Sequence, residues 1–333
     1  SSGGLASFSQ SGGTFLLRGR FQRTPTAYTS ITDLRDFSTA TLNTTRETAG
    51  LNGGLATFNI NEAANVFDMS GGTIRIYDVC GTGDSEAFQV FSDENNNSVT
   101  GGTVEIVPTA GATGTDASEF RIETTADLFN LTINRASSSA TVDINLYDLI
   151  IRNDLTIESG DLVANDYNVS VGGDFLIDNG TTYSPGNNWT ILNGSTNQNF
   201  EINTGAALDL DKFKIDKSSG TTLTLSGSQN TLNINDSLTI DAGTLQDGGK
   251  TINMSGNVLY NSGVHDGTGR IIMNATSPQR ITGDGNGVFE NVELNNTHGS
   301  VAPISINANT TLNGALTFSQ DHLLDLSTYA IHF

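Results

Sequence analysis

Carboxylates supply most of the reactive chemistry available to this chain. Its 333 residues hold 36 Asp and Glu against 15 Lys and Arg, four His and one Cys. Asp209 and Asp211 stand at i and i+2, so an inward Leu210 in a strand sets both on one outer face, where Asp174 and Asp178 would join them from a neighbouring strand. Outward carboxylates in that arrangement bind Ca²⁺ or act as acid and base on polysaccharides. Chemistry on an anionic polymer also needs a nearby cation, and Lys212, Lys214 and Lys217 do not recur as a focused cluster. The loops Asp93-Glu94-Asn95-Asn96-Asn97 and Asp284-Gly285-Asn286-Gly287 carry the oxygen donors that Ca²⁺ prefers. Asp93, Glu94, Asp284 and Asn286 are therefore the candidates for a structural Ca²⁺, although neither loop has EF-hand spacing.

Other chemistries find less support. His265, His298, His322 and His332 form no short-spaced metal pair and are expected on surface turns or strand faces. No Gly-x-Ser-x-Gly elbow marks a nucleophile. Cys80 alone makes neither an internal disulfide nor a thiolate zinc site. Pairs such as Thr24/Thr26, Thr39/Thr41 and Thr222/Thr224 fall at unequal intervals, unlike the flat ladder of an ice-binding face. A formal charge of −21 repels phosphate backbones and anionic headgroups, which excludes nucleic acid as a partner. The reading is a non-enzyme with no catalytic residue and no cofactor beyond Ca²⁺. Tyr167, Tyr183, Trp189 and Tyr260 are the aromatic residues to consider for stacking on sugars.

The elements that would position these groups repeat. Asn130-Leu131-Thr132-Ile133-Asn134 is echoed by Lys212-Phe213-Lys214-Ile215-Asp216 and by Asn291-Val292-Glu293-Leu294-Asn295. Further anchors keep the phase: Gly160 with Gly243, Val169 with Ile252 and Ile331, and Phe120 with Phe200 and Ile281. The copies span about 80 residues, at 120–199, 200–280 and a truncated 281–333. Residues 1–119 diverge but hold a shorter echo in Ser11-Gly12-Gly13-Thr14, Ser70-Gly71-Gly72-Thr73 and Thr100-Gly101-Gly102-Thr103. Within each copy apolar residues alternate over short runs, as in Leu131/Ile133 and Val169/Val171, between Gly, Asn, Asp and Ser corners.

Short strands with two inward positions and a single Trp suit an all-β solenoid better than a string of sandwiches. The expected fold is a right-handed parallel β-helix built from ~80-residue super-repeats as one continuous rod. No run approaches the roughly 18 apolar residues of a membrane helix. The start at Ser1 lacks an initiator Met and a leader, and Tyr329 to Phe333 stops in mid-strand, so the chain reads as a fragment of a longer protein.

The stretch Gly269-Arg270-Ile271-Ile272-Met273-Asn274, then Gln279-Arg280-Ile281-Thr282-Gly283 and Phe289-Glu290-Asn291-Val292-Glu293-Leu294-Asn295-Asn296, resembles the repeat of very long cell-surface proteins of Bacteroidota. The likeness covers about Phe120 to Phe333. It implies an extracellular stalk or adhesin attached to the outer membrane, exported by the type IX secretion machinery and serving adhesion or gliding motility. Surface polysaccharide or a substratum would be its partner, and lateral pairing of rods stays open. It also implies O-glycosylation at Asp236-Ser237-Leu238, with Ser237 as acceptor. The alternative from the residues is a carbohydrate-active β-helix, either a lyase or hydrolase or a polysaccharide-binding module.

Overall fold

In the computed structural model, residues 56–60, 63–77, 79, 86–107, 119–135, 141–203, 205, 208–320 and 324–333 are described, with the backbone of five strands before residue 56. Cys80, Leu323 and much of Arg18 to Asn52 lie outside them. The protein is an all-β parallel solenoid. Among the described residues the only helical element is the single turn Glu94–Asn96, so no helix is long enough to cross a membrane. The chain divides into two compact units, residues 1–167 with 180–183, and residues 168–179 with 184–333.

In the first unit one sheet stacks Ala6–Gln10, Ser30–Leu34, Val66–Ile76, Asn97–Ile106, Asn130–Asn134 and Leu155–Ser159. A second stacks Phe21–Arg23, Phe58–Ile60, Glu86–Val90, Glu119–Thr124, Thr141–Ile144 and Asp161–Val163. Period-two alternation sends every second residue inward onto its counterpart one coil on: Leu131 lies on Leu155 and Ile133 on Ile157. Phe58 and Phe88 occupy successive coils in register, and their rings stack at 5.1 Å, close to the spacing of the strands that carry them. The Gly-Gly echo has a plain cause. Val66–Ile76 and Asn97–Ile106 bend at Gly72 (φ 76°) and Gly102 (φ 92°), and a side chain at Gly102 would strike the Gly71 carbonyl oxygen at 2.7 Å.

The second unit has three faces. The first stacks Phe175–Ile177, Gln198–Ile202, Thr222–Ser226, Thr244–Gln246, Val264–Asp266, Val288–Phe289, Thr310–Leu312 and Ile331–His332. Leu208–Asp216 and Thr231–Ala242 are long strands whose two halves serve the other faces. Their leading halves begin the inner column Leu208, Leu232, Ile252, Ile271, Val292, Leu316. Their trailing halves belong to the column Val169, Thr190, Phe213, Leu238, Leu259, Ile281, Ile306. Each fully buried Leu, Ile or Phe contributes about 1.5–3 kcal/mol of transfer free energy, so a narrow core suffices because it is continuous.

The ~80-residue echo is not a whole number of coils. Phe200 sits on the first face and its partner Ile281 on the third; Phe213 sits on the third and Val292 on the second; Ile252 sits on the second and Ile331 on the first. From Phe200 to Ile281 the chain falls one face short of four coils.

Candidate functional site

The carboxylates singled out by spacing are spent locally. Leu210 does point inward, but the strand turns a corner after it: Asp209 accepts from Asn233 Nδ2 at 2.6 Å, while Asp211 lies 3.7 Å from Lys212 Nζ. Asp174 caps the next coil by accepting from the Asn199 backbone N–H at 2.7 Å, and Asp178 accepts from that of Asn179 at 2.7 Å. Asp93 Oδ1 accepts from Asn95 N and Nδ2, both at 3.0 Å, and Glu94 beside it is exposed. Asp284 accepts from Asn286 N at 2.9 Å and Nδ2 at 3.0 Å. Those bonds, first the one from the Asn286 amide, hold the Asp284 carboxyl below its ordinary range. Among the described residues no three His, Cys, Asp or Glu side chains converge as metal ligands.

Of the aromatic candidates, Tyr183 is withdrawn: it is 3% exposed, packed inward, and offers no face to a sugar. Tyr167, Trp189 and Tyr260 are half-buried and dispersed, with Tyr260 Oη accepting from Ser262 Oγ at 2.9 Å. Ser237 is half-buried inside Thr231–Ala242, on the rung between Lys212 and Val258. His265 is also corrected. It is fully buried on the column Leu223, Leu245, His265, with Nε2 3.1 Å from Asp247 Oδ2.

Spacing arguments missed the buried polar corners. A coil corner leaves backbone carbonyls pointing inward without a ladder partner, and burying them unpaired is costly. Gln198 Nε2 donates to Val171 O at 2.9 Å and to Gly173 O, and its Oε1 accepts from Lys217 Nζ at 2.8 Å. Gln279 Nε2 donates to Met254 O at 2.8 Å and Gly256 O at 2.7 Å, and its Oε1 accepts from Asn296 Nδ2 at 2.9 Å. In the first unit Arg135, wholly buried, donates to Tyr77 O at 3.1 Å and Val107 O at 2.6 Å and lies 3.9 Å from the centre of the Phe120 ring. Arg135, Lys217 and Asn296 follow the three echoed strands at the same place, as do Gln198 and Gln279 before theirs. The repeat itself was the signal that could have found them. Gly160 and Gly243 complete the device: a Cβ on either would stand 2.7 Å from Arg135 Cβ or 2.5 Å from Lys217 Cβ.

Burial sets the electrostatics of these corners. Loss of water pulls the Lys217 ammonium down to about 8, the Asp174 charge only partly opposing it, and lowers Lys250, which donates to Gly227 O at 2.8 Å and Gln229 O at 2.5 Å. Burial pushes Asp247 upward, but bonds from His265 and from the Gly249 and Gly269 N–H groups outweigh it and hold the carboxyl below its usual range. Facing inward, these groups close corners.

An open concave surface lies elsewhere. In the first unit a groove of about 540 Å³ lies beside the Glu94–Asn96 turn. Phe91, Tyr147 and Ile150 form its apolar part, with Tyr147 41% and Ile150 41% exposed and the Phe91 and Tyr147 rings edge to face at 5.9 Å. Four carboxylates line the rest, from Asp93, Glu94, Asp127 and Asp148, and Asp127 Oδ2 holds Arg152 Nε at 2.9 Å. Three corner segments build it, one from each of three successive coils.

No family model, no curated protein and no solved structure matches the chain.

Proposed function

We propose that this chain is a non-enzymatic segment of a long extracellular filament or adhesin, acting as a stiff stalk in adhesion or gliding motility. The observation that carries the reading is the closure of the solenoid corner by corner, with Gln198, Gln279, Arg135 and Lys217 tying one coil to another through buried bonds. Parallel ladders and stacked side chains resist bending and extension, since shifting one coil breaks several bonds together. Outward charges support the same reading, because they pair across neighbouring strands: Lys214 lies 2.9 Å from Asp241, and Arg75 lies 2.6 Å from Glu105. Export by a type IX system and attachment to the outer membrane belong to this proposal through the repeat that resembles Bacteroidota surface proteins.

The test uses the native protein in its source cells. Antibodies raised against this segment should label intact cells, and the native polypeptide should run at several times 35 kDa. Labelling only after permeabilisation would remove the surface assignment. Release of reducing or unsaturated ends from polysaccharides by the purified chain would replace the stalk with the carbohydrate-active alternative.

A further inference from the structure

We infer that the groove beside Tyr147 binds an uncharged, hydroxyl-rich glycan. The first observation is a strained turn. Tyr147 N donates to Asn145 O at 3.0 Å across a three-residue turn whose centre, Leu146, has φ 69°. Among the described residues other than Gly, those with positive φ are Leu146, Asn165, Asp166 and Ser327, and Leu146 alone is apolar. Small polar residues or Gly meet that conformation at least cost, and a γ-turn of this sense is rare and strained. Its first residue is tied down twice: Asn145 N donates to Ile122 O at 3.1 Å and Asn145 Nδ2 to Glu123 Oε1 at 2.8 Å. The turn leaves Leu146 51% exposed and presents Tyr147 beside the groove. Backbone strain persists where the surroundings over-determine it, often at binding sites.

The second observation is the chemistry of the lining. Phe91 fixes the Tyr147 ring edge to face, and Ile150 extends the apolar platform, a surface suited to the C–H face of a pyranose. The exposed Glu94 carboxylate and Asp93 Oδ2, the oxygen not taken by Asn95, supply acceptors for sugar hydroxyls. Among the described residues no Lys or Arg lines the groove, and nearby Arg152 is engaged with Asp127, so a carboxylated or sulfated glycan meets repulsion. The volume is that of a small-ligand cleft. Such a site makes the side of the solenoid adhesive, and it stands whether or not the chain is a stalk.

Native affinity electrophoresis of the whole chain tests this, in gels cast with β-glucan, mannan or xylan and in gels cast with pectate or alginate. At least one uncharged glycan should slow the chain, and the acidic ones should not. Tyr147→Ala should weaken the retardation at least tenfold with an unchanged circular dichroism spectrum, and Tyr147→Phe should keep it. Should Tyr147→Ala fold poorly, Ile150→Lys, on an outward strand position, must give the same loss. No retardation by any uncharged glycan, equal retardation by pectate, or parental binding in a folded Tyr147→Ala or Ile150→Lys chain would overturn the assignment.

Discussion

From Thr39 to Asn130 the first unit advances 34, 30 and then 27 residues between stacked positions, whereas from Thr222 to Thr311 the second advances 22, 20, 24 and 23. Further along, the first unit takes the shorter step too, 24 residues from Leu131 to Leu155 and 20 from Thr141 to Asp161. Its groove forms where the 91–95, 124–127 and 145–150 segments meet, beside the turn at Leu146 that presents Tyr147 outward. In the second unit corner carbonyls are met by side chains reaching in from another coil, such as Lys250 and Gln279, and in the first unit Arg135 does the same for Tyr77 and Val107. The lesson is that coil length varies without loss of closure: buried polar side chains meet corner carbonyls at either step.

The largest effect that would sharpen the contrast comes from the aromatic stack of the first unit. Phe88 is fully buried against Phe58 and Phe67, so Phe88→Ala should cost about 4 kcal/mol, and Leu238→Ala in the second unit about 3 kcal/mol. Urea unfolding with hydrogen exchange should place each loss in its own unit; a loss spread evenly over both would break the contrast. Next comes Gly269→Ala. A Cβ there would overlap the Lys250 carbonyl oxygen and stand 2.9 Å from Asp247 Cγ, so the tight corner of the second unit should lose about 3 kcal/mol. A melting temperature within a degree of the parent would show that these corners yield.

Smaller is a pH effect confined to the second unit. Above about 8 the folded Lys217 has lost a proton that the unfolded chain keeps to about 10.4, so stability should rise through that window. The rise should be on the order of 2 kcal/mol, and Lys217→Met should flatten it. The first unit has Arg135 at the equivalent place, and a guanidinium does not titrate in this window. A slope that survives Lys217→Met would assign it to other groups. The Asp247 contribution has the opposite edge: present above about pH 4, it fades as pH falls through the depressed folded value. The smallest effect is at the groove rim, where Arg152→Ala removes an exposed pair with Asp127 and should cost about 0.5 kcal/mol in thermal melts.

Much of this architecture was legible in the residues. Alternation in Leu131/Ile133 and Leu155/Ile157 is strand chemistry at any location, and the echo of Gly71-Gly72 in Gly101-Gly102 falls at a bend shared by two successive coils. The groove was only half legible. Asp93 and Glu94 were noticed as oxygen donors, but Phe91, Tyr147 and Ile150 lie on three separate segments that nothing local connects. Tyr183 shows the converse: its type suggested a sugar platform, and its inward pleat position removed it.

By itself the sequence determined strand period, corner chemistry and the recurrence of Gln198 with Gln279 and of Lys217 with Asn296, because each depends on a few adjacent residues. Which face each residue occupies was decided by the tertiary structure. That choice depends on the summed length of every corner before it, and an 80-residue echo one face short of four coils gives equivalent residues different neighbours while preserving the bonds they make.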